Sequence, residues 1–315
     1  MSSITREDSI VVTGGTGFLG KAVTEELKKR RFTNVHSLGS KDYDLRDRAA
    51  VELMYNHKQP SVVLHLAATV GGIGANKENP GRFMYENLVM GTNLIEEARH
   101  NDVKKFIMVG TVCAYPKFTP VPFKEEDIWN GYPEETNAPY GIAKKALMQL
   151  IISYKEQYGL NGVNLIPVNM YGPNDNFDPA ISHVIPALVL KFYEAMKNDE
   201  HSPVSIWGTG LASREFLYSE DCADAIVTAM EFHNDPQPIN IGTGQEITIK
   251  DLAHLIAEEM KYKGHMIFDT DKPDGQPRRC LDTTRAKEAF NFEAGTSLKE
   301  GIKKTVEWFK WKEAF

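Results

Sequence analysis

A glycine-rich turn near the N-terminus constrains the fold of this 315-residue chain more than any other feature. Gly14, Gly17 and Gly20 lie three residues apart, between an apolar run at 9–13 and an amphipathic segment at 17–30. At such a junction, a tight turn, a close backbone approach to a pyrophosphate and a helix-to-strand contact each exclude a Cβ atom. The helix N-terminus would then offer N–H groups to phosphates. The turn therefore predicts a dinucleotide site, and a tight turn without a ligand is the alternative.

The first half of the chain alternates strand-like and helix-like segments. Short apolar runs bounded by Gly, Pro or Asn predict buried strands at 9–13, 35–38, 61–66, 105–109 and 164–170. Helical periodicity between these runs predicts helices at 17–30, 46–57, 80–101 and 138–158. This order is typical of an α/β protein with a Rossmann-type doubly wound parallel sheet.

Beyond residue 171 the alternation loosens, and a smaller lobe is expected. A helix at 183–198 and a strand at 204–207 are followed by a return to the main sheet, which we predict at 219–233 and 238–241. Further helices are predicted at 249–261 and 298–315. We expect a Rossmann domain formed by 1–170 and about 214–243, and a C-terminal lobe formed by about 171–213 and 244–315.

Composition narrows the class of protein. The 36 basic and 43 acidic residues give a net charge of −7, and the basic residues are scattered, which argues against a nucleic-acid partner. No apolar run is as long as a membrane span and the N-terminus lacks a secretory pattern, so we expect no membrane partner and a cytoplasmic location. Cys113, Cys222 and Cys280 are too few and too irregularly spaced for a disulfide framework or a metal site.

The end of the second predicted strand indicates which dinucleotide would bind. An acid about 20 residues beyond the glycines would favour NAD by accepting from the ribose 2′-OH. Here Ser40 and Lys41 offer a hydroxyl and a cation that suit a 2′-phosphate. Asp42 and Asp44 follow closely, and Lys41 as an ordinary solvated lysine is the alternative. We predict NADP(H) as the cofactor.

A Tyr-x-x-x-Lys spacing supplies the first candidate catalytic pair. Tyr140 and Lys144 lie one helical turn apart on one face of the predicted helix at 138–158. A lysine held near the phenol would lower its pKa, so that Tyr140 exchanges a proton with a carbonyl or alcohol near neutral pH. Two solvated helix residues are the alternative. Thr111, at the C-terminal end of the fourth predicted strand, would hold the same carbonyl oxygen.

These features together resemble the extended short-chain dehydrogenase/reductase family, through the glycine turn, Leu66-Ala67-Ala68, the Thr111 hydroxyl and the Tyr140–Lys144 pair. A sharper resemblance, to its GDP-sugar epimerase-reductases, is carried by the stretches 70–73, 113–117, 169–177, 182–188, 207–210, 214–216 and 272–275. Dehydratases of the family place an Asp-Glu pair where this chain has Val112 and Cys113. The resemblance implies NADPH-dependent 3,5-epimerisation and 4-keto reduction of GDP-4-keto-6-deoxy-D-mannose to GDP-L-fucose.

The resemblance also implies catalytic roles. Tyr140 would be the proton donor of reduction and Lys144 its electrostatic partner, while Cys113 and His183 would be the base and the acid of epimerisation. Thr111 departs from the serine of the family pattern but keeps the hydroxyl. The residue types suit the chemistry, because a 4-keto sugar has acidified protons on C3 and C5, and ordinary thiols and imidazoles titrate on either side of neutrality. A buried thiol and a helix-start histidine are the alternatives.

Binding residues follow from the same resemblance. The expected cofactor contacts are Gly14, Thr16, Gly17, Phe18, Leu19, Gly20, Ser40, Lys41, Asp44, Leu45, Leu66, Ala67, Ala68, Lys144, Pro167, Asn169 and His183. For the GDP-sugar, Lys191 and Arg214 would lie near the phosphates, and Trp207 and Asp274 near the base or ribose. A homodimer is expected to form through the helices at 80–101 and 138–158, whose apolar residues serve either the core or the interface: Leu88, Leu94, Ile95, Leu147, Leu150 and Ile151.

Two other functions remain open from the sequence. The first is another nucleotide-sugar epimerase or 4-ketoreductase of the same superfamily, and a simple 4-epimerase would not need Cys113 and His183. The second is a non-catalytic NADP-binding module, which would need none of Tyr140, Lys144, Cys113 and His183. Cys222 is expected in the core, and Cys280 has no predicted role.

Overall fold

The computed structural model describes residues 3–179, 181–199, 201–272 and 274–314. The strands in chain order are β1 (Ile10–Thr13), β2 (Val35–Leu38), β3 (Val62–His65), β4 (Lys105–Val109), β5 (Gly162–Pro167), β6 (Asn169–Tyr171), β7 (Val204–Trp207), β8 (Ser213–Tyr218), β9 (Ile239–Ile241), β10 (Glu246–Thr248) and β11 (Met266–Asp269). The helices are α1 (Phe18–Lys29), α2 (Arg48–Lys58), α3 (Ile73–Glu78), α4 (Pro80–His100), α5 (Ala138–Tyr158), α6 (Val184–Asn198), α7 (Ser219–Phe232), α8 (Ile249–Met260), α9 (Thr284–Phe290) and α10 (Leu298–Ala314). The predicted end of the last helix at residue 315 lies outside the described residues.

The main sheet is parallel throughout, in the order β2-β1-β3-β4-β5-β9. Strands β1, β3, β4 and β5 are buried along their whole length, which explains their continuous apolar runs. One face is covered by α1, α7 and α9, and the other by α2, α4 and α5. The strand order reverses between β1 and β3, so the C-terminal edge there forms the crevice where such sheets bind ligands. The predicted Rossmann-type doubly wound fold is confirmed.

A second core lies under two small sheets. Strand β8 pairs with β6 in parallel and with β10 antiparallel, and β7 pairs with β11. Helices α6, α8 and α10 pack on these strands around Val189, Phe192, Ile256 and Phe309. This core is separate from the two clusters that flank the main sheet.

The predicted single strand at 164–170 is wrong in one respect. β5 ends at Pro167, whereas Asn169 begins β6 and pairs with Phe216 of the second sheet. Between them, the N–H group of Val168 donates to the carbonyl oxygen of Ile241, 3.0 Å away. Val168, between the two strands, is itself apolar and buried, so the change of sheet does not interrupt the apolar run, although Asn169 and Met170 are only partly buried.

Helices α4 and α5 pack closely, and their apolar residues divide between two environments. Leu94, Ile95, Leu147 and Ile151 are fully buried in the core of the single chain. Leu88 and Leu150 are only partly buried. The first four therefore serve the core, and only the last two remain available to an interface.

No helix in the described part of the chain is long and apolar enough to cross a membrane.

The N-terminal end of α5 abuts the turn that follows β4. This turn is a short 3-10 segment at Val112–Ala114 that begins after Thr111. A Cβ atom at Gly141 would collide with the carbonyl oxygen of Cys113, so the helix and the turn touch at backbone distance. Two candidate catalytic segments are thereby fixed against each other.

Candidate active site

The glycine turn between β1 and α1 is built as a phosphate cradle. Gly14 has φ +70°, and a Cβ atom there would lie 2.9 Å from the backbone nitrogen of Ala67. A Cβ atom at Gly20 would collide with the carbonyl oxygen of Gly14. Helix α1 starts after Gly17, and no side chain caps its first turn. Its N–H groups are therefore available to an anion.

The end of β2 lies beside this turn. The Thr16 hydroxyl is 2.7 Å from the position of a Cβ atom on Gly39, which brings Thr16 next to Ser40 and Lys41, both exposed. The two acids that follow are already engaged. The Oδ2 atom of Asp42 accepts a hydrogen bond from the Gly39 N–H group at 2.7 Å.

Asp44 is engaged in a different way. Its carboxylate oxygens accept from Nε and Nη2 of Arg46, each at 2.9 Å. These bonds, with one from the Arg46 backbone, lower the pKa of Asp44 to about 2. Among the described residues, Lys41 makes no ion pair, so the end of β2 presents a cation while its acids are held by other groups.

The remaining predicted cofactor residues line the same edge of the sheet or support it. Leu66, Ala67 and Ala68 follow β3 and are partly exposed. Other members contribute packing: Leu19 is buried in the core, Pro167 is buried at the end of β5, Leu45 packs against the α2–α4–α5 side, and Phe18 is partly buried. Asn169 donates to the carbonyl oxygen of Glu215 at 3.0 Å, so its amide links β6 to the neighbouring strand β8 of the second sheet.

The predicted reduction centre, formed by Thr111, Tyr140 and Lys144, lies at the C-terminal end of β4. Thr111 is buried, and its hydroxyl oxygen accepts from the N–H group of Cys113 at 3.2 Å. Tyr140, also buried, lies within hydrogen-bonding contact of Thr111. The ammonium group of Lys144 donates to the carbonyl oxygen of Val109 at 3.1 Å. One strand end and the first turns of α5 thus bring all three predicted residues together.

The pKa of Tyr140 differs from the expectation. Burial, and then the charge of Cys113, raise this pKa above its ordinary value, while the bond with Thr111 lowers it. Burial lowers the pKa of Lys144 to about 8, and its ammonium group is directed to Val109. The predicted lowering of the Tyr140 pKa by Lys144 is therefore not what the protein alone produces, because desolvation of the phenol outweighs it. A raised pKa keeps the phenol protonated at neutral pH.

Cys113 is partly exposed and lies between charged groups. Its sulfur is 3.7 Å from Nη1 of Arg279. A negative charge on Cys113 would raise the pKa of both Tyr140 and Arg214. The thiol therefore connects the reduction centre to a cationic region. Cys222 and Cys280 are buried.

His183 lies on a different element from Cys113, at the start of α6. It caps the N-terminus of α6, and its exposed side chain makes no capping hydrogen bond. Partial desolvation by the surrounding protein lowers the pKa of its imidazole. The segment before it is tied to the loop after β3, because the Gly72 N–H group donates to the carbonyl oxygen of Ile181 at 3.2 Å. His183 is thereby held on the side of the site that carries the 66–68 segment.

The four predicted nucleotide-sugar residues form a continuous surface on the smaller lobe. Lys191 lies 5.9 Å from the centre of the exposed Trp207 ring and donates to the carbonyl oxygen of Ser205. Asp274 accepts two hydrogen bonds from Thr209, at 2.7 and 2.9 Å, and its charge acts on Arg214. Burial, and then the charge of Arg279, lower the pKa of Arg214 to about 10. This surface leads from the exposed indole to Cys113.

Arg279 and Gln276 are site residues that the sequence analysis missed. Gln276 accepts from Nε and Nη2 of Arg279, at 3.3 and 2.9 Å, and donates to the carbonyl oxygen of Lys117 at 3.0 Å. The available signal was the basic pair Arg278–Arg279 shortly after Asp274.

No group of His, Cys, Asp or Glu side chains suited to a metal ion occurs within the described residues.

Sequence similarity to known proteins shows which family the chain belongs to. Residues 10–242 match the model of the NAD dependent epimerase/dehydratase family. The chain belongs to this family. A GDP-L-fucose synthase of Escherichia coli (strain K12) is 38% identical over 309 residues, which cover 95% of this chain and 96% of that protein. GDP-L-fucose synthase 1 of Arabidopsis thaliana is 39% identical over 300 residues, covering 95% of this chain and 92% of the relative.

The similarity extends to three-dimensional structure. A GDP-L-fucose synthetase from Naegleria fowleri, solved with NADP bound, matches this family member with a TM-score of 0.92 at 33% identity. The match covers 99% of this chain and 96% of that one. The resemblance predicted from the sequence motifs is confirmed.

Proposed function

We propose that this protein is an NADPH-dependent epimerase and reductase that converts GDP-4-keto-6-deoxy-D-mannose to GDP-L-fucose. The observation that carries the proposal is the position of Cys113, whose N–H group donates to Thr111 at 3.2 Å and whose sulfur lies 3.7 Å from Nη1 of Arg279. A proton donor for a ketone, a thiol base and a cation for a diphosphate thus belong to one site. The similarity to GDP-L-fucose synthases over 95% of the chain supports the same reaction.

The cofactor fits the residues at the edge of the main sheet. Gly14, Gly17 and the uncapped start of α1 would hold the pyrophosphate, and Ser40 with Lys41 would hold the 2′-phosphate. Bound NADPH supplies the hydride that reduces C4. The NADP bound to the Naegleria fowleri relative supports this choice of dinucleotide.

In the epimerisation, the thiolate of Cys113 takes a proton from the carbon next to the C4 ketone. The electron pair moves to the ketone oxygen, where the hydroxyl groups of Thr111 and Tyr140 donate hydrogen bonds to the developing negative charge. His183, on another element, returns a proton to the opposite face of the carbon. The same pair acts at C3 and at C5, and each stereocentre is inverted.

In the reduction, the phenol of Tyr140 gives its proton to the C4 oxygen as the carbon becomes saturated. The raised pKa of Tyr140 keeps that proton in place at neutral pH. Lys144, charged below its pKa of about 8, stabilises the phenolate that remains. The hydroxyl of Thr111, next to Tyr140, orients the same oxygen.

The smaller lobe would hold the nucleotide. Arg214 and Lys191 bind the diphosphate, since guanidinium and ammonium groups suit phosphate oxygens. Trp207, more than half exposed, offers an indole face to the base. Asp274 accepts from the ribose or the base with the lone pairs that Thr209 leaves unused.

Incubation with NADPH and GDP-4-keto-6-deoxy-mannose, followed by identification of the sugar, tests the proposal. GDP-L-fucose is the expected product, together with consumption of one NADPH per sugar. A 6-deoxyhexose with the original configuration at C3 and C5 would identify a 4-ketoreductase instead. Absence of NADPH oxidation in the presence of the keto sugar would refute the proposed activity.

We also infer that the protein works as a homodimer in the cytoplasm. Helices α4 and α5 leave Leu88 and Leu150 only partly buried, and α4 presents Tyr85 to the surface. A second copy of the same helix pair would cover these side chains. A reducing compartment suits the chemistry, because Cys113 must remain a thiol to act as a base.

A further inference from the structure

Arg279 holds a cation beside the thiol of Cys113. Its Nη1 atom is 3.7 Å from the sulfur, while Nε and Nη2 donate to one oxygen of Gln276. The amide nitrogen of Gln276 in turn donates to the carbonyl oxygen of Lys117, in the same loop that follows Cys113. Two hydrogen bonds to Gln276 therefore hold the guanidinium in place, with its Nη1 atom next to the sulfur.

The charge of Arg279 is not neutralised by an acid within the described ranges. Its neighbour in sequence, Arg278, forms an ion pair with Glu246 and is exposed. Arg279 instead lies close enough to Arg214 for the two positive charges to repel, which contributes to the lowered pKa of Arg214. Asp274 acts on Arg214 and offsets part of this repulsion, whereas Arg279 has no carboxylate partner among the described residues, so an anion beside its guanidinium would be stabilised.

We propose that Arg279 is a positioning residue for Cys113, and that it stabilises the thiolate which takes protons from the sugar. The guanidinium would offset the negative charge on sulfur and hold the Sγ atom towards the substrate. This inference rests on the proposed function, because it assigns the cation to the epimerisation and not to the reduction.

The proton transfers of the epimerisation define what Arg279 contributes. Cys113 starts as a thiolate paired with Arg279, and the C–H bond breaks as the S–H bond forms. The carbon receives its new proton from His183, and both groups then exchange protons with solvent. Arg279 keeps its protons throughout and provides only charge and orientation.

Thiol alkylation of the protein without substrate tests this role directly. Iodoacetamide reacts with the thiolate, and peptide mass spectrometry reads Cys113 separately from Cys222 and Cys280, which are buried. At pH 7, Arg279→Gln should lower the alkylation rate of Cys113 by about tenfold, and Arg279→Lys by no more than about threefold. Arg278→Gln is the matched control and should leave the rate unchanged.

A second variant, Gln276→Leu, tests the same role in case Arg279→Gln does not fold. Gln276→Leu keeps the charge of Arg279 but removes its anchor, so alkylation should slow by about threefold. With keto sugar in D₂O, Arg279→Gln should slow deuterium entry at C3 and C5 by at least about tenfold. Reduction by NADPH should stay within about threefold of wild type.

Two results would overturn the inference. In the first, Arg279→Gln and Gln276→Leu leave the alkylation rate of Cys113 unchanged. In the second, the variants weaken binding of GDP while deuterium exchange at saturating sugar stays at the wild-type rate, which would assign Arg279 to the diphosphate. Because alkylation needs no substrate, it reports on Arg279 even if the proposed reaction proves wrong.

Discussion

The hydroxyl oxygen of Thr111 accepts a hydrogen bond from the N–H group of Cys113 across 3.2 Å. This bond leaves the hydroxyl proton of Thr111 directed elsewhere, and Tyr140 lies within its reach. Without substrate this hydroxyl donates towards the phenol, and with a ketone bound its single proton would turn to the ketone oxygen beside Tyr140. Both bonds use only the hydroxyl group, which threonine shares with serine.

Replacing Tyr140 with Phe should abolish most of the reduction. The ring remains, but the buried proton donor is lost, and general acid catalysis of this kind contributes about 10² to 10⁴ in rate. NADPH oxidation with the keto sugar measures the effect. Tyr154→Phe, which removes a hydroxyl group from the same helix far from the site, should retain wild-type rates. A Tyr140→Phe rate within a few-fold of wild type would exclude Tyr140 as the acid.

Replacing Cys113 with Ala should separate epimerisation from reduction. In D₂O without NADPH, the wild-type enzyme should incorporate deuterium at C3 and C5 of the keto sugar, and the variant should not, because a methyl group cannot exchange a proton. Reduction with NADPH should continue and yield un-epimerised or singly epimerised 6-deoxyhexoses. His183→Asn should permit some exchange but impair inversion. NMR of the recovered sugar reports both steps, and wild-type exchange by Cys113→Ala would place the base elsewhere.

The end of β2 should make the enzyme prefer NADPH. Asp42 is bonded to the Gly39 N–H group and Asp44 is paired with Arg46, so under the proposed function Lys41 would be free to bind the 2′-phosphate. NADPH should exceed NADH in kcat/KM by at least about tenfold, or roughly 1.4 kcal/mol. Lys41→Ala should reduce this ratio, while Lys28→Ala, an exposed lysine on α1, should not. Equal use of the two dinucleotides by the wild-type enzyme would contradict the assignment.

Asp175 should make the folded state less stable as the pH rises. Its side chain is buried, one carboxyl oxygen has no hydrogen-bond partner, and burial raises its pKa from 3.8 to about 7. A raised pKa means that the folded state holds the proton more tightly, so the stabilisation is complete below about pH 4 and is lost as the pH rises through about 7. The full shift corresponds to at most about 4 kcal/mol.

Asp175→Asn removes this titration and should flatten the dependence of the unfolding free energy on pH between 4 and 8. Urea unfolding at a series of pH values measures it. Asp271→Asn, at an exposed position, serves as the control. The same slope in wild type and Asp175→Asn would show that the carboxyl group of Asp175 does not stay protonated in the folded protein.

The proposed dimer makes a prediction about mass. Sedimentation at micromolar concentration should give twice the mass of one chain. Tyr85→Glu, on the exposed side of α4, should shift the equilibrium towards the monomer, since a charge would have to be buried against the second copy. Phe118→Glu, at another highly exposed aromatic residue, should not. A monomer mass for the wild-type protein would refute the proposal.

Local spacing made part of the site predictable from the sequence. The glycine turn and the Tyr140–Lys144 pair each lie within one strand-to-helix junction or one helical turn, so short-range geometry determines them. The contact of Arg279 with Cys113 joins residues 166 positions apart and has no local signature. The raised pKa of Tyr140 was missed for a related reason, because desolvation depends on groups that many distant segments bring around the phenol.

The strands of the fold likewise divide into those that the local sequence predicts and those that depend on distant contacts. Strands of the main sheet were predictable because burial on both faces makes them continuously apolar. That same property concealed the passage from β5 to β6, since a change of sheet at Val168 leaves hydrophobicity unaltered. Strands β10 and β11 of the smaller lobe are short and only partly buried, β8 begins with the polar residues Ser213, Arg214 and Glu215, and the pairing of all three depends on partners elsewhere in the chain.

The absence of space at Gly141 has a consequence for how enzymes of this lineage diverge. The helix that carries the phenol rests on the backbone of the thiol-bearing turn, so neither can slide without moving the other. Under the proposed function, small displacements cannot alter the inversion at C3 and C5 and leave ketone reduction untouched. A descendant that gives up one of its two chemistries is therefore expected to do so in a single discrete step, by exchanging the sulfur for another side chain on an unmoved scaffold.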